Sequence, residues 1–324
     1  MQAKVDMKTI SRIAVIGGGT MGQGIAQYFA MKSYPVSIYE PNAAARDALH
    51  RKMENDLSVL SKHGLIDDRA VRESLRRVDI AASLEGVVKD ADFIIEAAPE
   101  NLALKQDLFK KLAAASKPEA ILASNTSSLD LFDIIADLGE NEKKRCMICH
   151  WYNPAHLIPL VELSDFGNTE QDALNAVEAL FEAAGKKTIR VLKNVPGLVA
   201  NRIQQGIARE VFSLMEMQVA SAQDIDAALK YGPAFRYATT GQLEVADFGG
   251  LDIWCTVGDN LLPLISNTRQ ASPLLKSKVR ENKLGLKTGE GFFAYPDNKE
   301  AVIEHFQKKL ITQLKAQEDM DKEQ

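Results

Sequence analysis

The chain has 324 residues, 46% of them hydrophobic, enough for two globular domains. Thirty-nine basic against 44 acidic side chains leave a formal charge of -5, which excludes the broad basic face that nucleic acid requires. No apolar run is long enough to span a membrane, and the polar opening Met1–Lys8 does not read as a secretory signal. Three cysteines are too few for a disulfide framework, so a soluble, cytoplasmic protein is expected.

The first element is the apolar run Ile13–Ile16, which breaks into Gly17-Gly18-Gly19-Thr20-Met21-Gly22. Eighteen residues past Gly22 a second apolar run, Val36–Tyr39, ends on Glu40. Strand, glycine turn, helix and acid in that order are the fingerprint of a dinucleotide-binding βαβ unit. Gly17 permits the turn, Gly19 lets backbone approach a pyrophosphate, and Gly22 lets the helix pack on the sheet. The helix N-terminus, with Thr20 and Met21, offers unpaired N–H groups to phosphate. A carboxylate at position 40 suits two ribose hydroxyls and repels a 2′-phosphate, which favours NAD over NADP; Arg46 nearby tempers that preference.

The amphipathic stretch 43–77, interrupted at Gly64, predicts a helical hairpin inserted between strands. Then come a strand at 92–96, a helix at 102–115, a strand at 120–124 and a helix at 129–138. Strands at 145–150 and 159–163, a helix at 170–184 and a strand at 187–191 follow. Such alternation predicts a doubly wound parallel sheet of the Rossmann type. The breaker Lys193-Asn194-Val195-Pro196-Gly197 marks a boundary between domains 1–192 and 193–324. Beyond it the apolar spacing is helical throughout, predicting an all-helical C-terminal domain. The final stretch, 298–324, predicts an amphipathic helix packed on its own body, with Val302, Ile303, Phe306 and Leu310 on one face.

Cys146-Met147-Ile148-Cys149-His150 matches a haem-attachment pattern. In an apolar strand, however, alternation sends the two cysteines to opposite faces, which spoils a shared chelate. Of the five histidines, His50, His63 and His305 lie in polar surroundings. His150 ends an apolar strand at the carboxyl edge of the sheet, where open α/β sheets bind ligands. Twelve residues on, Glu162 sits within Leu160–Leu163, and a carboxylate in an apolar strand must be paired or neutralised. His150 and Glu162 therefore read either as a base with its orienting acid or as a structural buried glutamate.

At this point the chain resembles the L-3-hydroxyacyl-CoA dehydrogenase family. The resemblance runs through the glycine loop, Glu100-Asn101-Leu102, Ser124-Asn125-Thr126-Ser127-Ser128 and His150-Trp151-Tyr152-Asn153-Pro154 with Leu160-Val161-Glu162. It continues through Val195–Arg202, Gly249-Gly250-Leu251-Asp252 and Lys287–Phe292, in order, over residues 11 to 295. It implies a Rossmann domain with a helical dimerisation domain, NAD as cofactor, oxidation of an L-3-hydroxyl group, and a homodimer acting in fatty acid metabolism. By motif, His150 is the general base and Glu162 its partner. Ser127 and Asn201 hydrogen-bond the reacting oxygen, while Glu100, Lys105, Ser127, Asn153 and Lys287 contact NAD.

The substrate divides the family. Acyl-CoA members carry a serine and lysines in the hairpin, where this chain has Asp56, Lys62 and His63. The loop 153–159 looks closer to relatives acting on small free hydroxy acids of the carnitine, gulonate and hydroxymethylpyridine-carboxylate kind, and Arg236 could clamp such a carboxylate. Against this, Gly250-Leu251-Asp252 and Lys287–Gly291 stand as in the acyl-CoA enzymes. The leading expectation is a 3-hydroxyacyl-CoA, with a free 3-hydroxy acid as the alternative. A non-catalytic NAD-binding protein on the same scaffold is the reading from a different class.

Overall fold

The computed structural model describes residues 10–322; the expectation for Met1–Lys8 lies outside the described residues. The described residues divide into two compact units: residues 10–199 with 307–314, and residues 200–306 with 315–322.

The first unit begins β1 (Ile13–Ile16), α1 (Thr20–Met31), β2 (Val36–Tyr39), α2 (Ala43–Lys62), α3 (Asp68–Arg76), β3 (Val78–Ala81) and α4 (Leu84–Val88). It continues β4 (Phe93–Glu96), α5 (Leu102–Ala115), β5 (Ile121–Ser124), α6 (Leu131–Ile134), α7 (Glu140–Lys143) and β6 (Cys146–Trp151). It closes with β7 (Leu160–Ser164), α8 (Gln171–Ala184) and β8 (Lys187–Val191). The eight strands lie in the order β3-β2-β1-β4-β5-β6-β7-β8. All neighbours are parallel except β6 and β7, which pair antiparallel. The Rossmann-type sheet predicted from the alternation is thus present, with one antiparallel step that hydrophobic periodicity could not foretell. β1, β4 and β5 are buried at every position, because crossover helices cover both faces of a parallel sheet.

The inserted hairpin follows its local signals. Asn42 Oδ1 caps α2 by accepting from the Ala45 N–H, and Asp67 caps α3 through the Ala70 N–H. Gly64 turns the chain between them at φ +68°. Two features differ from expectation. β3 and α4, of four and five residues, are too short for periodicity to reveal, and the helix expected over 129–138 is α-helical only in α6. The cysteines fall as alternation dictates: Cys149 joins the core on one side of the sheet, Cys146 the core on the other. Burial pushes the Cys146 thiol up to about 12.

The second unit is helical: α9 (Ala200–Glu216), α10 (Ala222–Tyr231), α11 (Pro233–Tyr237), α12 (Gln242–Gly249), α13 (Leu251–Leu261) and α14 (Pro273–Arg280). The last helix, α15 (Lys299–Lys322), sends its middle stretch to the first unit. There Ile311 is buried with Leu57, Leu60, Val71 and Leu157. The helix packs on its own body as expected, but its buried side chains are Gln307 and Ile311, while Ile303 and Phe306 are exposed. No described helix is long and apolar enough to cross a membrane.

Candidate active site

Three clusters line the carboxyl edge of the sheet. The first is the glycine loop between β1 and α1. The Gly17 N–H donates to Tyr39 O at 2.8 Å, and φ of +106° puts Gly17 where L side chains are strained. Gly22 lies so close to Gly17 O that no Cβ fits between them. Gly19, in contrast, faces open space, and no side chain caps the first turn of α1. That open cradle of N–H groups at a helix N-terminus fits a pyrophosphate. Glu40 stands beside it: its Oε2 accepts from the Gly18 N–H and its Oε1 from the Asn42 N–H, both at 2.9 Å. Arg46 turns its guanidinium to the Glu40 and Pro41 carbonyls.

The second cluster joins the ends of β4 and β5. Glu96, fully buried, accepts from Lys105 Nζ at 2.6 Å and the Ala98 N–H at 2.7 Å on one oxygen, and from the Ser124 hydroxyl at 2.6 Å on the other. Lys105 Nζ also lies 3.4 Å from Glu100 Oε2. Glu100 Oε1 accepts from the Thr126 hydroxyl, the Ser127 and Ser128 N–H groups and the Ser128 hydroxyl. Burial raises the Glu100 carboxyl, but the Thr126 and Ser128 hydrogen bonds and the Lys105 charge outweigh it and hold the carboxyl below its ordinary range. Lys105 is only 1% exposed, so its ammonium faces these carboxylates inside the protein. Ser127 stays partly open beside a cavity of about 70 Å³ shared with residues 194–198, and its carbonyl accepts from the Gly197 N–H.

The third cluster is the β6–β7 pair. The antiparallel register sets His150 directly opposite Glu162, and His150 Nδ1 lies 2.7 Å from Glu162 Oε2. His150 is 5% exposed and Glu162 fully buried. The second carboxylate oxygen accepts from the Val199 N–H at 2.9 Å, which fixes the acid from both sides. Asn125 Oδ1 accepts from the Trp151 N–H, tying the end of β5 to β6 beside the histidine. The Tyr152 ring stands edge-on to the imidazole, and burial followed by the Glu162 charge raises its phenol.

Behind this edge lies a buried pair absent from the sequence reading. Lys186 Nζ donates to Ala155 O at 2.7 Å and Ile158 O at 2.6 Å, and sits over the Tyr28 and Trp151 rings. Burial lowers its pKa to about 7, helped by Lys32. His156, in the loop that Lys186 ties down, is lowered to about 4 by burial and by the Lys186 charge. The folded state therefore keeps His156 neutral where the unfolded chain, titrating near 6.5, takes a proton. Stability from this group is complete above about pH 6.5 and is lost as pH falls toward 4, by at most ~3 kcal/mol. Lys186, with a folded-state pKa of about 7, is half deprotonated near pH 7 while the unfolded chain keeps it charged, so it adds slope of the same sign until it is fully charged at about pH 6. Urea titrations between about pH 6 and pH 4.5, where Lys186 is charged in both states, should show a shallower loss of stability in His156→Leu than in the parent, and equal slopes would refute the assignment.

Asn153 is exposed in the loop after β6. Asn201, Arg236 and Lys287 belong to the second unit. Asn201 opens α9, and Arg236 is exposed at the end of α11. Lys287 lines a cavity of about 570 Å³ with Phe212, Phe292 and Tyr295. Glu96, Ser124, Asn125 and Lys186 were missed by sequence reasoning. For Glu96 the signal was there to use: like Glu162, it is a carboxylate in an apolar strand, here its last residue.

Residues 12–195 match the family described as 3-hydroxyacyl-CoA dehydrogenase, NAD binding domain, and residues 197–295 match its C-terminal domain. The chain is 30% identical to 5-formyl-3-hydroxy-2-methylpyridine 4-carboxylate 5-dehydrogenase of Mesorhizobium japonicum, over 93% of this chain and 96% of the relative. A crystal structure of such a dehydrogenase, described as an NAD+ dependent dismutase, superposes with a TM-score of 0.86 at 29% identity, over 96% of this chain and 99% of the other. The (S)-3-hydroxybutyryl-CoA dehydrogenase of Ralstonia eutropha superposes with a TM-score of 0.71 at 31% identity, over 89% of this chain and all of the other.

Proposed function

The chain belongs to the 3-hydroxyacyl-CoA dehydrogenase family, and within it we propose that this protein oxidises the 3-hydroxyl group of an L-3-hydroxyacyl substrate, with His150 as general base. It is an NAD-dependent oxidoreductase acting on CH–OH groups. The observation that carries the residue assignment is the buried His150–Glu162 pair at 2.7 Å. With Nδ1–H donated to Glu162, Nε2 is left as the basic nitrogen that takes the hydroxyl proton. Glu162 holds the ring in that tautomer and steadies the imidazolium. Ser127 and Asn201 hydrogen-bond the reacting oxygen.

Bound NAD supplies the hydride acceptor. Gly17, Gly18, Gly19, Thr20, Met21 and Gly22 cradle its phosphates, Glu40 takes the adenosine ribose, and Glu100, Ser127, Asn153 and Lys287 contact the rest. Lys105 contributes by holding Glu100. Because Glu40 both braces the loop and faces the ribose, Glu40→Ala should weaken NAD binding about tenfold and narrow the preference over NADP. Direct titration of both nucleotides measures it, and an unchanged ratio would remove Glu40 from cofactor choice.

The leading substrate reading is a 3-hydroxyacyl-CoA, which would place the enzyme in fatty acid metabolism. One observation favours a second reading, a small free hydroxy acid. The Asp56 carboxylate on the hairpin is raised by burial, against hydrogen bonds from Gln307 and Gln23. It is therefore engaged by the protein's own side chains, under a helix that lies beyond the matched residues 12–295. Assays of NADH consumption with acetoacetyl-CoA, and of NADH production with carnitine, gulonate and 3-hydroxybutyrate, separate the two. No rate with acetoacetyl-CoA sinks the thioester reading, and NADH binding without turnover on any of them restores the non-catalytic one.

A homodimer is supported by the apolar surface of the second unit, where Leu243, Phe248, Leu251, Leu262 and Leu264 are 63–86% exposed. Light scattering should return twice the 35.6 kDa chain mass, and a monomer at micromolar concentration would refute the dimer.

A further inference from the structure

The trio at the ends of β4 and β5 contains two carboxylates and one ammonium: Glu96 at 2.6 Å and Glu100 at 3.4 Å from Lys105 Nζ. Wherever the shared proton rests, the trio carries one net negative charge. Lys105 and Glu96 are closed off from solvent and neutralise each other, so the net charge rests on Glu100, which is 37% exposed and held in place by Thr126, Ser127 and Ser128. Its position has a direction. Glu40 follows β2 and marks the adenosine half of the groove, and the sheet order sets β4, β5 and β6 on the other side of β1. The nicotinamide half therefore lies toward Glu100, Ser127 and His150, at the carboxyl ends of those strands.

The oxidised nicotinamide ring is a cation and the reduced ring is neutral. We propose that the Glu96–Lys105–Glu100 trio is a built-in counter-charge that sets the ratio of affinities for the oxidised and reduced cofactor, with Glu96 as the positioning residue that fixes its net charge. The inference rests on NAD occupying the groove in the orientation given by Glu40, and goes beyond the base assignment. It gives the site an electrostatic symmetry. Bound NAD would be a cation beside the trio only in its oxidised form, and His150 gains a positive charge when it takes the hydroxyl proton. The trio favours the charge where it starts and Glu162 where it ends, so their difference sets the balance on the protein.

Calorimetric titration of the full chain with NAD+ and with NADH, in the parent and in Glu96→Gln, Glu100→Gln and Ser124→Ala, tests this. Glu96→Gln keeps the shape and an oxygen that accepts from Lys105 and Ala98, turns the Ser124 bond into one the amide donates, and removes the charge, so Kd for NAD+ should rise relative to Kd for NADH by about threefold or more. Glu100→Gln, at a partly exposed carboxylate, should move the ratio the same way and serves if Glu96→Gln fails to fold. Ser124→Ala removes a hydrogen bond to Glu96 without changing charge and should leave the ratio alone. Equal weakening of both nucleotides in the two charge variants, or a ratio shift in Ser124→Ala as large as theirs, would overturn the proposal. Failure of the parent to bind either nucleotide would refute the cofactor reading on its own terms.

Discussion

In His150→Gln, kcat should fall by about 10²–10⁴-fold while the affinity for NAD stays within about twofold. Glutamine is the informative substitution because its amide N–H can still donate to Glu162. The buried acid then keeps a partner, and the β6–β7 pairing that places Trp151 and Val161 is undisturbed. What disappears is the second ring nitrogen, the only atom at that position able to take a proton. A mutant that folds normally, binds NAD normally and turns over slowly isolates proton abstraction from cofactor binding. Near-normal turnover would remove His150 from the chemistry and return Glu162 to a structural role.

Much of this site was legible because the residue types are conspicuous where they stand. A glycine run is informative once a strand precedes it, a helix follows and Glu40 arrives on time, and a glutamate in Leu160–Leu163 demands a partner. The register that makes His150 that partner was not legible. Periodicity gives the face on which a side chain lies but not the direction of the neighbouring strand, and β7 runs antiparallel to β6 in an otherwise parallel sheet. The partners of Lys105 were hidden for a related reason. On α5 it has the spacing of any surface lysine, and only the pairing of β4 with β5 brings Glu96 and Ser124 to it. Lys186 gave no signal at all, since its acceptors are backbone carbonyls of a loop about 30 residues earlier. Local chemistry shows in sequence; partners supplied by backbone geometry do not.

The largest stability effect should come from Trp151→Ala, at about 3–5 kcal/mol. The indole is 1% exposed and meets three rings at centroid distances of 5.3–5.6 Å: Phe181 of α8, and Phe29 and Tyr28 of α1. These edge-to-face contacts join helices from opposite ends of the first unit's sequence to the strand that bears His150. The same ring lies 4.7 Å from Lys186 Nζ, so truncation leaves a cavity and also strips one face from a buried ammonium. Trp151→Phe keeps most of the packing and should cost less than half as much. Urea unfolding of both variants measures the difference. Because Trp151 adjoins His150, the alanine variant should also lose activity below its unfolding midpoint, where the fold persists but the end of β6 no longer has its support. Full activity there would mean that β6 is held by its hydrogen bonds to β5 and β7 alone.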